Sequence, residues 1–148
     1  MAEPSSYPPQ ESYILYAEDN YIDARFLLRI FYKQYPEQHI VHLENGQLVK
    51  DFLLRALEEG TPLPHLVLLD IKMPGLSGLD VLEFIRSERL LRKIPVVILS
   101  ASGEQRDLTR AYHSRTNAYL IKPEGYRGLK HVVLSIYSFW SQHNRIVV

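Results

Sequence analysis

The chain has 148 residues, of which 46% are hydrophobic and 23% are charged, the size and balance of a single globular domain. The charges of its 17 basic and 17 acidic residues cancel, which disfavours nonspecific electrostatic binding to nucleic acid. A sequence without cysteine excludes disulfides, thiolate metal sites and cysteine nucleophiles. No apolar run approaches the roughly 20 residues that a membrane helix needs, so we expect a cytoplasmic protein with no membrane or DNA partner.

Short apolar runs alternate along the chain with longer segments whose apolar residues recur at helical spacing. Five runs are predicted to form strands, at residues 13–17, 39–43, 66–69, 96–99 and 118–121. Five segments are predicted to form helices, at residues 23–35, 48–57, from 81 onward, 104–114 and 129–140. Strict alternation predicts an α/β fold, a doubly wound (βα)5 arrangement of the flavodoxin-like kind, in which helices cover both faces of a five-stranded parallel sheet. We place the folded domain at residues 12–141, between a flexible tail at 1–11 and a short tail at 142–148.

The last predicted helix carries an apolar stripe that ends with Tyr137 and Trp140. One interpretation is that these two aromatic residues pack into the protein's own core. The other is that they form part of a dimer surface together with the apolar residues 146–148. The sequence leaves both interpretations open.

Candidate site residues follow four of the five predicted strands. Glu18 and Asp19 come directly after the first strand, Asp70 after the third, Ser100 after the fourth and Lys122 after the fifth. Because ligands of doubly wound sheets bind beyond the carboxyl ends of the strands, we expect these side chains to converge in one cleft. Taken singly, each has an ordinary explanation, such as capping a helix or forming a turn. Their shared position favours one site.

The composition of this cluster indicates its chemistry. Carboxylates within several ångströms of one another repel unless they hold a cation or one of them stays protonated. Oxygen ligands without histidine or cysteine suit a hard cation, Mg²⁺ above all. The neighbouring amine of Lys122 and hydroxyl of Ser100 favour an anionic ligand such as a phosphoryl group, which Asp70 would accept as the nucleophile.

Four segments of the chain together resemble the receiver domain of bacterial two-component response regulators, over roughly residues 12–141. They are Glu18-Asp19, Asp70-Ile-Lys-Met-Pro-Gly-Leu-Ser-Gly78, Leu99-Ser100-Ala101 and Tyr119-Leu-Ile-Lys122-Pro123. The resemblance implies that a histidine kinase phosphorylates Asp70. It also implies a Mg²⁺ ion held by Glu18, Asp19, Asp70 and the backbone carbonyl of Lys72.

The resemblance also assigns the residues that respond to phosphorylation. Ser100 would move towards the phosphoryl group, and Lys122 would pair with one of its oxygens. Tyr119 would be the aromatic switch that turns inward when the acceptor is modified. The peptide bond before Pro123 would be cis, as is usual for this motif.

A narrower resemblance links the chain to the small receivers that pair with bacterial phytochromes. It rests on Ala111-Tyr112, on residues 117–123 and on Ser138-Phe139-Trp140. It implies a phytochrome as the kinase and a homodimer. Too few residues follow the fifth helix for a DNA-binding output domain, so we expect a stand-alone receiver that signals through protein contact. The basic excess of residues 101–148, seven Lys and Arg against three Asp and Glu, is either a solvated face or a docking surface for an acidic partner.

Two other functions fit parts of the same pattern. Phosphatases of the haloacid dehalogenase type also use an aspartate nucleophile with Mg²⁺, but they carry a second acid two residues after it, where this chain has Lys72. We therefore expect a phosphoacceptor signalling protein rather than an enzyme. The alternative is a receiver-like module that binds its partner constitutively and is not phosphorylated.

Overall fold

The five apolar runs form five strands of one sheet in the computed structural model, which describes residues 12–143. The strands are β1 (Tyr13–Ala17), β2 (His39–Leu43), β3 (Leu66–Leu69), β4 (Val96–Ser100) and β5 (Ala118–Ile121). Their order across the sheet is β2-β1-β3-β4-β5, and every neighbouring pair is parallel. The doubly wound parallel sheet predicted from the sequence is therefore confirmed, with β2 and β5 at its edges.

Five helices connect or follow the strands. They are α1 (Tyr21–Gln34), α2 (Gly46–Glu59), α3 (Gly78–Ser87), α4 (Gln105–His113) and α5 (Tyr126–Ile136). The first helix begins two residues earlier than its apolar spacing predicted, because the Asn20 side chain accepts hydrogen bonds from the amides of Ile22 and Asp23 at 3.0 and 3.1 Å. Within residues 12–143, no helix combines the length and the apolar composition that crossing a bilayer requires.

The sheet separates two hydrophobic layers. Alternate strand residues such as Leu15 and Val67 pack on one side against α2 and α3, whereas their neighbours Ile14 and Leu66 pack on the other side against α1 and α5. Both faces are thus covered, which explains why β3 is apolar at every position. The candidate site residues lie at the carboxyl ends of four of the five strands, which point to the same side of the sheet.

The end of α5 differs from the sequence prediction. The α-helix stops at Ile136, and residues Tyr137–His143 continue the apolar stripe as a wider π-helical segment. Tyr137 stacks on Tyr35 with 3.7 Å between the ring centroids, and Trp140 also packs on the core layer beside α1 and α5. These two aromatic residues therefore support the protein's own core, whereas Phe139 between them is 54% exposed. Residues 146–148, the other part of the expected dimer surface, lie outside the described residues.

Candidate functional site

One cleft, of about 690 Å³, opens at the carboxyl edge of the sheet. Its lining includes all six residues that the sequence analysis assigned to the phosphoryl and metal sites, namely Glu18, Asp19, Asp70, Lys72, Ser100 and Lys122. They come from the ends of β1, β3, β4 and β5, which are adjacent strands and therefore end side by side. We call this region the acidic cleft.

Three carboxylates meet in the acidic cleft. Glu18, Asp19 and Asp70 each place one oxygen within 4.8 Å of the other two. Glu18 is fully buried and Asp70 is 7% exposed, whereas Asp19 faces solvent. Hydrogen bonds to neighbouring strands fix the backbone of the two buried residues. The Asp70 amide donates to the Ala17 carbonyl at 3.1 Å, and the Glu18 carbonyl accepts from the His42 side chain, through Nε2, at 2.9 Å. The sequence offered no signal for this role of His42.

Burial dominates the electrostatics of Glu18. Removal from water raises the pKa of its carboxyl to about 8, against the opposing effect of the hydrogen bond from Lys122. The nearby Asp70 carboxylate adds to the effect of burial, and the pKa of about 8 is the balance of all these contributions. A set made only of oxygen ligands, one of them buried and difficult to ionise, fits a hard divalent cation such as Mg²⁺ or Mn²⁺.

Lys122 supplies the positive charge of the cleft. Its Nζ bonds to Glu18, lies 3.1 Å from Asp23 Oδ2 and lies 3.6 Å from Asp70 Oδ2. Burial alone would lower the pKa of this amine, but the carboxylates around it raise the pKa above its usual value. The ammonium therefore stays charged and within reach of any group that Asp70 carries.

Asp23 is a member of the cleft that the sequence analysis did not single out. It lies on α1, one turn beyond Asn20, and accepts a hydrogen bond from Lys122, which is 99 positions later in the sequence. The available signal was its position shortly after the Glu18-Asp19 pair, on the first turn of a helix that starts at the same sheet edge. From the sequence alone, that position predicts only the beginning of the helix.

Tyr119 does not line the acidic cleft but is connected to it. Its hydroxyl donates to the Ser102 carbonyl at 2.6 Å, and the Ser102 amide donates to Ser100 Oγ at 3.3 Å. Ser102 was not singled out from the sequence either. The cis peptide expected before Pro123 stays a prediction.

Gly78 lies directly against the backbone of Asp70. A Cβ atom at this position would be 1.9 Å from the Asp70 carbonyl oxygen, a distance that no side chain can accept. The Gly78 amide donates to the Ile71 carbonyl at 2.9 Å, which closes the turn between β3 and α3. The requirement for glycine is therefore steric and belongs to the acidic cleft itself.

Some of the basic residues in the last third of the chain already have partners in the protein. Arg110 bonds Asp80 and Glu83 of α3, both at 2.8 Å, and Arg106 pairs with Glu104 at 3.3 Å. The basic excess of the last third of the chain is therefore used in part to attach α4. It is not wholly available to a partner.

Comparison with known proteins gives the same fold and family. A family model of the response regulator receiver domain matches residues 14–134. Over 80 residues the chain is 44% identical to the probable methanogenesis regulatory protein FilR2 of Methanothrix harundinacea, a match that covers 54% of this chain and 52% of that protein. The chain spans about half the length of the curated relatives it matches.

Two of the similar solved structures cover nearly the whole chain. The Mn²⁺-bound form of response regulator Rcp1, a protein of Synechocystis, gives a TM-score of 0.83 at 29% identity over 94% of this chain and 100% of that one. The phosphorylated cyanobacterial phytochrome response regulator RcpA gives a TM-score of 0.84 at 27% identity over 95% of this chain and 100% of that one. The chain therefore belongs to the response regulator receiver domains of two-component systems.

Proposed function

We propose that this receiver accepts a phosphoryl group from a histidine kinase onto Asp70, in a magnesium-dependent reaction, and passes the signal on through protein contact. The observation that carries the proposal is the position of the Asp70 carboxylate. It lies 3.6 Å from the Lys122 ammonium and within 4.8 Å of two further carboxylates, in an open cleft. This arrangement combines a nucleophile, a cation for the phosphoryl oxygens and a set of metal ligands.

The two oxygens of Asp70 differ in their contacts, and the difference supports Oδ2 as the nucleophile. Oδ1 accepts the Ile71 amide at 2.9 Å, whereas Oδ2 faces Lys122. In the proposed reaction Oδ2 attacks the phosphorus atom, the P–N bond of the donor phosphohistidine breaks, and the imidazole nitrogen keeps the electron pair and takes up a proton. Lys122 and the Ser100 hydroxyl each contact a phosphoryl oxygen as its charge develops.

A divalent cation would be held by Glu18, Asp19, Asp70 and the backbone carbonyl of Lys72. When bound, Mg²⁺ neutralises the repulsion between these carboxylates and the incoming phosphoryl group. Support comes from the all-oxygen ligand set of the acidic cleft and from the Mn²⁺ bound by the similar protein Rcp1.

The similar structures also suggest the partner. RcpA is a phytochrome response regulator, and the structure of RPA3017, 28% identical to this chain, belongs to red light signalling of R. palustris. We propose a phytochrome-type histidine kinase as the phosphodonor. A cytoplasmic location, a homodimer, the domain bounds 12–141 and the lack of a DNA or membrane partner stay predictions.

The test is intact mass spectrometry after incubation with acetyl phosphate and Mg²⁺. We expect one phosphoryl adduct on the wild-type protein, none on Asp70→Asn, and none after a chelator removes the cation. Asp51→Asn is the matched control, because Asp51 is an exposed carboxylate on α2, and it should be modified like the wild type. An adduct on Asp70→Asn would contradict the assignment. An unmodified wild type would instead favour the module that binds constitutively without phosphorylation.

A further inference from the structure

Ser102 occupies an unusual place beside the acidic cleft. It lies in the loop between β4 and α4, is 6% exposed, and makes hydrogen bonds through its amide, its carbonyl and its hydroxyl. The amide reaches Ser100, the carbonyl reaches Tyr119, and the hydroxyl reaches the first turn of α4. One residue thus touches the proposed phosphate-sensing hydroxyl, the proposed switch tyrosine and a helix.

The hydroxyl of Ser102 attaches the start of α4. It donates to Asp107 Oδ2 at 2.6 Å and accepts the Glu104 amide at 3.3 Å. Glu104, the residue at the N-cap position, makes no side-chain capping bond among the described residues, so Ser102 performs this function from two positions earlier.

Helix α4 depends on such polar contacts more than the other helices do. Ala111 is its one fully buried residue, so little apolar area fixes its position. A second side-chain attachment is Arg110, which bonds Asp80 and Glu83 of α3. A helix held by a few polar contacts changes position at a lower free-energy cost than a helix embedded in the core.

We propose that Ser102 is the positioning residue that transmits phosphorylation of Asp70 from Ser100 to helix α4. The inference rests on the proposed function. Ser100 Oγ accepts the Ser102 amide, which leaves the Ser100 hydroxyl proton free to point into the cleft. When that hydroxyl donates to a phosphoryl oxygen, Ser100 Oγ moves towards the cleft. The hydrogen bond from the Ser102 amide then either lengthens or displaces Ser102 in the same direction. Because the Ser102 hydroxyl also holds Asp107 and Glu104, the displacement reaches the first turn of α4.

The experiment measures hydrogen–deuterium exchange of the amides at residues 104–108. Each protein is measured alone and with Mg²⁺ and beryllofluoride, which mimics the acyl phosphate. In the wild type we expect the exchange rates of these amides to change when Mg²⁺ and beryllofluoride bind. In Ser102→Ala we expect about fivefold faster exchange without beryllofluoride, the factor for one net hydrogen bond, and no further change in the complex. Ser102→Thr keeps the hydroxyl and should restore the response.

Two variants separate transmission from simple attachment of the helix. Asp107→Ala removes the acceptor of the Ser102 hydroxyl but keeps the bond from the Glu104 amide, so it should reduce the α4 response in the same direction as Ser102→Ala. This variant also covers the case in which the serine variant folds poorly. Arg110→Ala loosens α4 at the other contact, so it should accelerate exchange in both states while preserving the difference between them. If Ser102→Ala keeps the wild-type difference, the proposal is wrong.

The same samples distinguish this proposal from the proposed function. Intact mass shows whether wild type and Ser102→Ala both form a phosphoryl adduct. If both do, and α4 of Ser102→Ala still responds as in the wild type, only the role of Ser102 is overturned. A wild type that forms no adduct overturns the proposed function and the transmission together. The faster exchange of free Ser102→Ala does not involve phosphorylation, and its absence would overturn the attachment of α4 by Ser102 in either case.

Discussion

Glu18 is a carboxyl group buried at the end of β1, in contact with Lys122 and close to two other acids. Its pKa in the folded protein is about 8, against 4.5 for an ordinary glutamate, and burial is the main cause. Between these two pH values the folded state keeps a proton that the unfolded state has lost. Stability therefore falls as the pH rises through this window, unless another cation replaces the proton.

The first prediction concerns this proton. Without divalent cations, the melting temperature of the wild type should fall more between about pH 5 and pH 8 than that of Glu18→Gln, because only the wild type must ionise a buried acid. Mg²⁺ should stabilise the wild type more at the upper end of this range, where the cation no longer competes with the proton. Thermal melts with and without Mg²⁺ measure both effects.

The control for this experiment is Glu83→Gln, at an exposed glutamate of α3. It should show the pH dependence and the Mg²⁺ response of the wild type. A Glu18→Gln protein with the same pH profile as the wild type would contradict the raised pKa of Glu18.

At the scale of single residues, the sequence predicted those members of the cleft that follow strands. Glu18, Asp70 and Lys122 are placed by the parallel sheet alone, because parallel strands end at one edge. Asp23 and Ser102 were missed for a physical reason. Each acts through a hydrogen bond to a group whose position depends on how a helix or loop packs, and no spacing in the sequence encodes that contact.

Among the elements, α3 is joined to two turns by a buried arginine. The Arg86 guanidinium donates to the carbonyls of Arg92, Ile94 and Arg115 and to Asn117 Oδ1, over 2.7 to 3.1 Å. Burial, and then the nearby Arg115, lowers its pKa. Arg115 has a left-handed backbone with φ of 64°, a conformation that side chains rarely adopt and that this contact helps to hold.

We expect Arg86→Met to lower the free energy of unfolding by about 2–4 kcal/mol, because four acceptors lose their donor in a largely buried place. Arg55→Met is the matched control, since Arg55 makes an exposed i,i+4 ion pair with Glu59 on α2, and its loss should cost at most about 1 kcal/mol. Urea unfolding of both variants measures the difference. Equal losses would show that the Arg86 hydrogen bonds add nothing beyond an exposed ion pair.

The last helix shows what periodicity cannot predict about elements. The apolar stripe of α5 continues to Trp140 in the sequence, and its side chains do reach the core. The backbone nevertheless widens from Tyr137 onward. Tyr137 stacks on Tyr35 and meets the edge of Phe31, both from the region of α1. Such a distant aromatic contact selects the local helix geometry, and the spacing of apolar residues within one segment does not contain it.

For the whole molecule, a net charge of zero conceals an uneven distribution. The acidic cleft gathers the carboxylates of Glu18, Asp19, Asp23 and Asp70. The adjoining outer face of α1 presents Arg25, Arg29 and Lys33 at four-residue spacing beside the exposed Tyr32. The basic excess that the sequence assigned to the last third of the chain is partly neutralised by Asp80 and Glu83 of α3. Composition predicts the total charge, but the fold decides which charges remain exposed.

Strand β5 is an edge of the sheet, and its last residue, Ile121, is 54% exposed. Edge strands with exposed apolar residues favour pairing with another chain. If the receiver forms the predicted homodimer through this edge, Ile121→Lys should weaken dimerisation by about tenfold or more, since burial of an isoleucine contributes about 1.5–3 kcal/mol. Sedimentation equilibrium with Mg²⁺ and beryllofluoride measures the dissociation constant.

Leu90→Lys is the control for this measurement, because Leu90 is 64% exposed and lies in the segment after α3 rather than on a strand. It should dimerise like the wild type. Equal weakening by both substitutions would place the interface elsewhere, and a wild type that stays monomeric throughout would exclude the homodimer.

The order of the strands also sets the mechanical stiffness of the site. Asp70 and Glu18 follow β3 and β1, each of which has a bonded neighbour on both sides, so a displacement there must deform two strands. Ser100 follows one step outward on β4, and Tyr119 lies on β5, which has a neighbour on one side only. The proposed reaction would thus take place beside strands that are held on both sides, whereas the proposed switch Tyr119 lies on a strand held on one side only. The same force therefore displaces β5 further than it displaces β1 or β3.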